Sequence, residues 1–490
     1  MTAWHELRGE TFVLYSDTNL EDLKQFALDI SRFVAVVEKV AKPSPPNAPA
    51  NFFLLSSESE RLFVGESLYL GIAMPSLSGW DSYVRGSNHD PVLRQTLLHE
   101  FSHYLTLRNT SAQYPKWYKE GFAEFLSATR ARDDMMEVGG VPHGRVDELS
   151  LRRAESIPID LEETFGFAQS GQYPRDFYAS SWAVVHYLNQ TLGGRNRLSR
   201  MLSLQMRGVP WREAYNAAFD EPPAKLAAKI GRHVEAISKG APAARYYLDL
   251  DQLEVETEWA VLKLEPAEVA LVFGELALRR ADSGSQTQHH TKLAAALLEK
   301  SQELDPGDLR SASAMVACLA RQGDFEGSHM KLLEIDSSAV RAHETLNHLG
   351  RAYQLLAAGF ADQGTEGVDV EAFNQTARAL FERALEENAR SAVSWAGLAR
   401  AQMIENDLVN AKASFEASMG LGEWDSESML DLGEVENRLG HTHIARELWQ
   451  QVSTLSRGRH RKRAKALLKT LVSARSDAGS NNSSPSDPDH

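Results

Sequence analysis

At 490 residues the chain is too long for one hydrophobic core, and its length predicts two to four domains. Hydrophobic residues at 43% and charged residues at 24% are the composition of folded globular protein, and no stretch approaches the roughly eighteen apolar residues of a membrane span. The 52 Lys+Arg against 67 Asp+Glu leave a net charge of −15, which works against phosphate backbones and anionic lipid and sets nucleic acid aside as a partner. Cys318 is the only cysteine, which excludes an intramolecular disulfide and a thiolate zinc site.

The first residues, MTAWHELRGETFVLY, lack the basic and apolar regions of a signal peptide. The chain is therefore expected in the cytoplasm, or in the periplasm or outside the cell if a signal was removed ahead of it. Short apolar runs, FVLY (12–15) and NFFLL (51–55), alternate with helical periodicity from Leu20 to Lys42, which predicts a small mixed sheet with helices against it. KPSPPNAPA, 42–50, is a turn-rich connector. From Asp90 to about Lys239 the pattern is mostly helical, with loops around Gly139 to Gly144 and Gly171 to Pro174.

Asp90 and Pro91 suit the N-cap and first turn of a helix that continues through VLRQTLLHEFSHYLTL. Within it, His99 and His103 are four apart and share a face, so both imidazoles reach one metal ion, while Glu100 is rotated about 100° and can hold a water there. Seventeen residues later comes WYKEGFAEF, 117–125, on a second helix after Pro115. Gly121 and Ala123 permit this helix to approach the first, pointing Glu120 at the metal, and a His₂Glu set leaves the fourth position that a catalytic zinc requires. Glu124, one turn on, is placed to hydrogen-bond the far nitrogen of a ligating histidine. Farther along, FYASSWAVVHYL, 177–188, reads as a partly buried helix in which His186 is a core histidine.

From about 260 onward the chain repeats itself every 34 residues: Ala377, Ala411 and Ala445; Phe381, Phe415 and Trp449; Leu398-Ala399 and Leu432-Gly433; Asn406 and Gly440. This resembles the tetratricopeptide (TPR) pattern, in which small residues let two antiparallel helices approach and a large residue fills the gap between repeats. About five repeats are expected over 251–472, with an insertion near Gly359 to Glu371 and a disordered tail over 473–490. The basic run Arg457 to Lys465 reads as the solvated face of a terminal helix, Cys318 as a packed thiol, and His289-His290 as solvated.

HEFSH followed by WYKEGFAEF resembles the gluzincin metallopeptidases, and more closely the bacterial peptidase-MA-like proteins, which are often joined to TPRs; the likeness spans roughly residues 10 to 240. It implies His99, His103 and Glu120 as ligands of one zinc ion per chain and Glu100 as general base. It further implies, from a tyrosine at the start of a similarly placed helix in related aminopeptidases, that Tyr178 donates to the tetrahedral intermediate. One departure concerns the substrate. Gly71-Ile72-Ala73-Met74-Pro75 sits where aminopeptidases of this clan carry a G-x-M-E-N strand whose glutamate holds a free amine, and here the residue after Met74 is proline. Recognition of a free N-terminus is thus not implied, and Gly71, Ile72, Ala73 and Met74 remain as an edge strand for an extended peptide.

The expected fold is an α+β gluzincin-like peptidase domain, 1–250, followed by an all-α TPR solenoid. The expected function is zinc-dependent hydrolysis of a peptide or protein substrate by metal-activated water, with a protein partner on the repeats. Two alternatives stand beside it: a TPR interaction protein whose zinc domain is structural or inactive, and a zinc hydrolase of a non-peptide amide.

Overall fold

Strand β1 (Trp4–Arg8) pairs antiparallel with β2 (Phe12–Ser16), setting Leu7 opposite Leu14, and β2 runs parallel to β3 (Ala50–Leu55). A parallel neighbour requires a crossover, which α1 (Leu20–Ala41) supplies. Its buried Leu23, Phe26, Ala27, Ile30, Phe33, Val34 and Val37 recur at helical spacing, and the Asn19 side chain caps it by accepting from the Asp22 amide. The structure is a computed structural model and describes residues 3–42, 49–56, 58–59, 71–76, 79–85, 91–107, 114–154, 158–170, 176–241, 243, 246–282, 287–365, 368–421, 425–456 and 458–480. Asp90, most of the 42–50 connector, the loop 171–174, Arg457 and the last ten residues lie outside them.

The chain divides into two units, Met1–Ala73 with Ser82–Lys263 and Met74–Asp81 with Leu264–His490. The division thus falls at 263 rather than the expected 250, and it assigns the short segment 74–81 to the second unit. The segment Gly71–Ser76, expected as a substrate strand, is a strand, β4, followed by β5 (Gly79–Arg85). The side chains of Gly71, Ile72, Ala73 and Met74 are outside the described residues.

Helix α2 (Pro91–Leu107) carries both histidines. It is anchored by the face turned away from them: Phe101 packs edge-on against Phe52 of β3, with ring centroids 4.9 Å apart, and lies 6.2 Å from Phe33 of α1. Arg94 ties the same helix to Asp29 of α1 at 3.2 Å and donates to the Thr129 carbonyl at 3.0 Å. Next comes α3 (Lys116–Ser127), then a hairpin that helical periodicity did not reveal, β6 (Arg130–Arg132) and β7 (Met135–Val138). Helices α4 (Arg145–Ala154), α5 (Leu161–Ser170), α6 (Phe177–Gln190), α7 (Gly194–Gln205), α8 (Trp211–Ala218) and α9 (Pro223–Ser238) follow, and β8 (Tyr246–Asp249) returns to pair with β7. With β9 (Ala260–Leu264) the main sheet has the order β4-β5-β3-β2-β1-β9, so among the described residues β4 is an edge strand, where Pro75 is tolerated.

Gly121 acts differently from its expected role of admitting α2. A Cβ placed on it would lie 2.4 Å from the Ser181 carbonyl oxygen, so the glycine brings α3 against the backbone of α6. A glycine signals that some backbone comes close without saying which.

The second unit begins with five helix pairs: α10 (Pro266–Asp282) and α11 (Thr287–Leu304), α12 (Leu309–Gln322) and α13 (Phe325–Leu333), α14 (His343–Gln363) and α15 (Val370–Glu387), α16 (Ala392–Ile404) and α17 (Leu408–Leu421), α18 (Ser426–Arg438) and α19 (Thr442–Leu455). The starts Ala392 and Ser426, and Leu408 and Thr442, are 34 apart, and the repeat is of TPR type. Aromatic rings seat where side chains are missing: a Cβ on Gly350 or Gly397 would meet the Phe381 ring at 2.8 or 2.3 Å, and one on Gly433 the Trp449 indole at 2.3 Å. The expected insertion is helical in its first part, because α14 runs on to Gln363 before Gly364 ends it with φ +61°.

A single helix, α20 (Gly458–Ser480), closes the unit and continues eight residues into the segment expected to be disordered. Once Ala464 and Leu471 are buried against α19, each added residue costs little to keep helical. His290 is also inside, on the buried side of α11, and burial pushes its imidazole down to about 4. Among the described residues no helix is long and apolar enough to cross a membrane.

Replacing Gly121 by alanine should force α3 and α6 apart and lower stability by about 1–3 kcal/mol, the usual cost of overpacking. Urea unfolding of the variant measures it, and an unchanged midpoint would deny the backbone contact.

Candidate metal centre

Spacing on α2 and the approach of α3 bring three side chains to one point. His99 Nε2, His103 Nε2 and Glu120 Oε2 form a triangle with all three edges 3.2 Å. The rings of His99 and His103 stand nearly perpendicular, 84° apart, and the three side chains are only 10–13% exposed. These are the residues among those described whose donor atoms cluster as a metal set does. The triangle can be tested against zinc: ligands at about 2.0 Å in a tetrahedron have edges of about 3.3 Å. Two nitrogens and one carboxylate oxygen are also the donor types of a catalytic zinc. The residues fit the ion.

Charge at the triangle agrees with its geometry. Burial alone would drive the proton off His99, but Glu120 at one ring nitrogen and Glu124 at the other hold it, raising the imidazole to about 10. Burial likewise opposes ionisation of Glu120, yet the two histidines keep its carboxyl well below the usual range. Without a metal the site therefore stabilises a positive charge among these side chains.

Glu124 is fully buried, and its Oε1 lies 3.3 Å from His99 Nδ1. Against the cost of burial, His99 and Arg145 hold it ionised down to about 2. Accepting at Nδ1 fixes the tautomer that turns the Nε2 lone pair toward the triangle. Arg145 is a residue that sequence reasoning missed. At the first position of α4, after Gly144 with φ +77°, it donates to Glu124 Oε1 at 2.6 Å and reaches Glu148 at 3.3 Å. Its guanidinium also lies 5.5 Å from the centre of the Tyr178 ring. No motif marks it, because its role exists only once α4 has folded onto α3.

Tyr178 stands in the first turn of α6, its ring 6.1 Å from that of His99. Burial, then the charges of Glu120, Glu100 and Glu124, push its phenol well above the ordinary tyrosine value, so it remains a donor. Glu100 is half-buried on α2, and its charge acts on both His99 and Tyr178. His186 is elsewhere in the core of α6, with Nδ1 2.9 Å from His233 and Nε2 2.8 Å from Gln190. Cys318 is buried on α12, donates to the Thr291 carbonyl, and has its thiol pushed up to about 11 by burial.

No protein-family model matches the chain, and no curated protein matches its sequence. Among solved structures it is similar to a thermophilic TPR protein of Thermus thermophilus, at 16% identity over 38% of this chain and 89% of that one, TM-score 0.32. It is also similar to pilF of Pseudomonas aeruginosa, at 16% identity over 54% of this chain and 93% of that one, TM-score 0.26.

At pH 7 the metal-free His99 is protonated, so zinc has to displace that proton from Nε2 while Nδ1–H stays on Glu124. Calorimetric titrations in buffers of different ionisation enthalpy should show about one proton released per zinc at pH 7, fading as pH rises toward 10. Glu124→Ala should weaken zinc binding by about 10–100-fold. Binding without proton release, or an unaltered Glu124 variant, would remove this arrangement.

Proposed function

We propose that the first unit hydrolyses peptide bonds with the aid of one zinc ion and that the repeat unit binds a protein or peptide partner. The observation that carries the first part is the 3.2 Å triangle of His99, His103 and Glu120 beside a carboxylate, Glu100, that takes no part in it. The finer assignment, a gluzincin of the peptidase-MA-like kind, rests on the likeness of HEFSH and WYKEGFAEF to that family.

Zinc held by the triangle would supply a Lewis acid, polarising the scissile carbonyl and acidifying a water molecule. The chain's own residues do the rest. Glu100 takes a proton from the attacking water and returns it to the leaving amine. Tyr178, kept protonated, donates to the carbonyl oxygen as negative charge develops there. Glu124 and Arg145 hold the His99 ring in its orientation, so that the triangle does not reorganise during the reaction. The edge strand β4 is available to hold an extended substrate by strand addition, as expected for Gly71 to Met74, and Pro75 withholds one amide from it.

A second reading places the function in the repeats. The solved structures similar to this chain include a TPR protein, and the first unit would then hold zinc structurally or have lost turnover. Glu100 separates the readings, since a structural ion needs no adjacent base. A proteome-derived peptide library incubated with wild type and with Glu100→Gln tests both. The variant should retain zinc and lose nearly all cleavage, because an amide does not accept the proton. No cleavage by zinc-loaded wild type would favour the scaffold, and cleavage of non-peptide amides alone would favour the third alternative.

Tyr178→Phe should lower kcat with little change in KM, by about 10²-fold or less, because removing one oxyanion donor costs about 10²–10³ and zinc carries part of the charge. An unchanged kcat returns Tyr178 to packing; lost zinc makes it a support of the ligands.

A further inference from the structure

The basic run expected on a solvated helix face opens α20, and two of its arginines reach carboxylates on other helices. Arg463 Nη2 lies 2.9 Å from Asp431 and 3.3 Å from Glu434, both on α18. Arg459 Nη2 lies 3.8 Å from the carboxylate of Asp282, the last residue of α10, and donates to its carbonyl oxygen at 3.3 Å. These two residues are 177 positions apart, so the array curls far enough to bring the end of its first helix to the beginning of its last. His460, the residue after Arg459, is buried.

The surface on which they land is a ladder of ion pairs that joins the first helices of the pairs, in places skipping one. Arg310 joins Glu275 and Arg321 joins Asp282, both linking α12 to α10, at 2.6 and 2.8 Å. Arg351 of α14 reaches Glu427 at 2.9 Å, and Arg400 of α16 reaches Asp431 at 2.8 Å, both on α18. Two more carboxylates belong to the ladder: Asp425, 3.8 Å from the already engaged Arg400, and Glu434. Among the described residues of the ladder, four guanidinium groups thus face six carboxylates, and the two arginines of α20 make up the difference. His348 also reaches Glu275, at 3.2 Å, and adds charge only when protonated.

We propose that the acidic end of this ladder, around Asp282, Asp431 and Glu434, is a docking surface for an arginine-bearing helical segment of a partner protein, and that residues 458–463 of the chain occupy it as an internal ligand. Arg459 and Arg463 stand four apart, on one face of the helix, and a partner with the same spacing would meet the same carboxylates. Arginine suits the surface because its planar fork matches carboxylates and gives up its water more readily than an ammonium. The proposal deepens the reading of the repeat unit as partner-binding and rests on that part alone, independently of hydrolysis.

An internal ligand acts as a competitor at high effective concentration, so relieving it should raise the apparent affinity for an outside peptide by about tenfold or more. The test uses the full chain with R459A/R463A, whose side chains are 48% and 41% exposed in the wild type, so that the fold survives the change. The probe is a fluorescein-labelled peptide of residues 457–466, RGRHRKRAKA, with binding read by anisotropy at low salt and circular dichroism confirming each fold. The variant should bind at least about tenfold more tightly than wild type, and binding should weaken with salt and disappear when D431N/E434Q is added. Equal affinity for wild type and R459A/R463A, or binding indifferent to D431N/E434Q, would overturn the proposal. Glu100→Gln should bind the peptide as wild type does, so a chain that takes up peptide without hydrolysing anything, or the reverse, shows which of the two readings has failed.

Discussion

Three lone-pair atoms held 3.2 Å from one another in a nearly closed site repel unless positive charge sits among them. The arrangement around the triangle answers that constraint. Outward from it the charges alternate: imidazole, the Glu124 carboxylate, the Arg145 guanidinium, the Glu148 carboxylate. Each group is held by the next, so the orientation of His99 depends on Arg145, a residue outside the triangle. The hydrophobic scaffold serves the same end, since Phe101 against Phe52 and Gly121 against the Ser181 carbonyl determine where α2 and α3 lie.

The repeat unit is governed by a different constraint. There, helices approach because glycines vacate the space that Phe381 and Trp449 occupy, and shape rather than charge sets the spacing. Charge enters at the helix surfaces, most densely in the arginine–carboxylate ladder, where groups half removed from water gain more from pairing than fully exposed ones do. The two units thus divide the labour differently: in the first, packing positions a charged centre, while in the second, packing builds the array and ion pairs tie its first helices together.

What could be read from the sequence was what depends on near neighbours. His99 and His103 share a face because they are four residues apart on one helix, and Glu120 follows on the next helix. The 34-residue period was visible because each repeat packs mainly on the next. Features that depend on distant folding were hidden. Arg145 acquires its role only through Glu124, Gly121 announced a close approach without naming α6, and the β6–β7 hairpin is short with an exposed first strand, so no alternation of apolar residues marks it. His290 reads as solvated because its neighbours are polar, although a helix turns one of two adjacent histidines inward.

Cys318 has a use beyond packing. It is the sole thiol, buried on α12 among Leu298, Ala314 and Met315, and burial has raised its ionisation to about 11. Because only the thiolate reacts, an alkylating reagent added to the native chain has to wait for the repeats around it to open. The rate of labelling is therefore a clock for opening of the helices around Cys318, running inside an intact molecule.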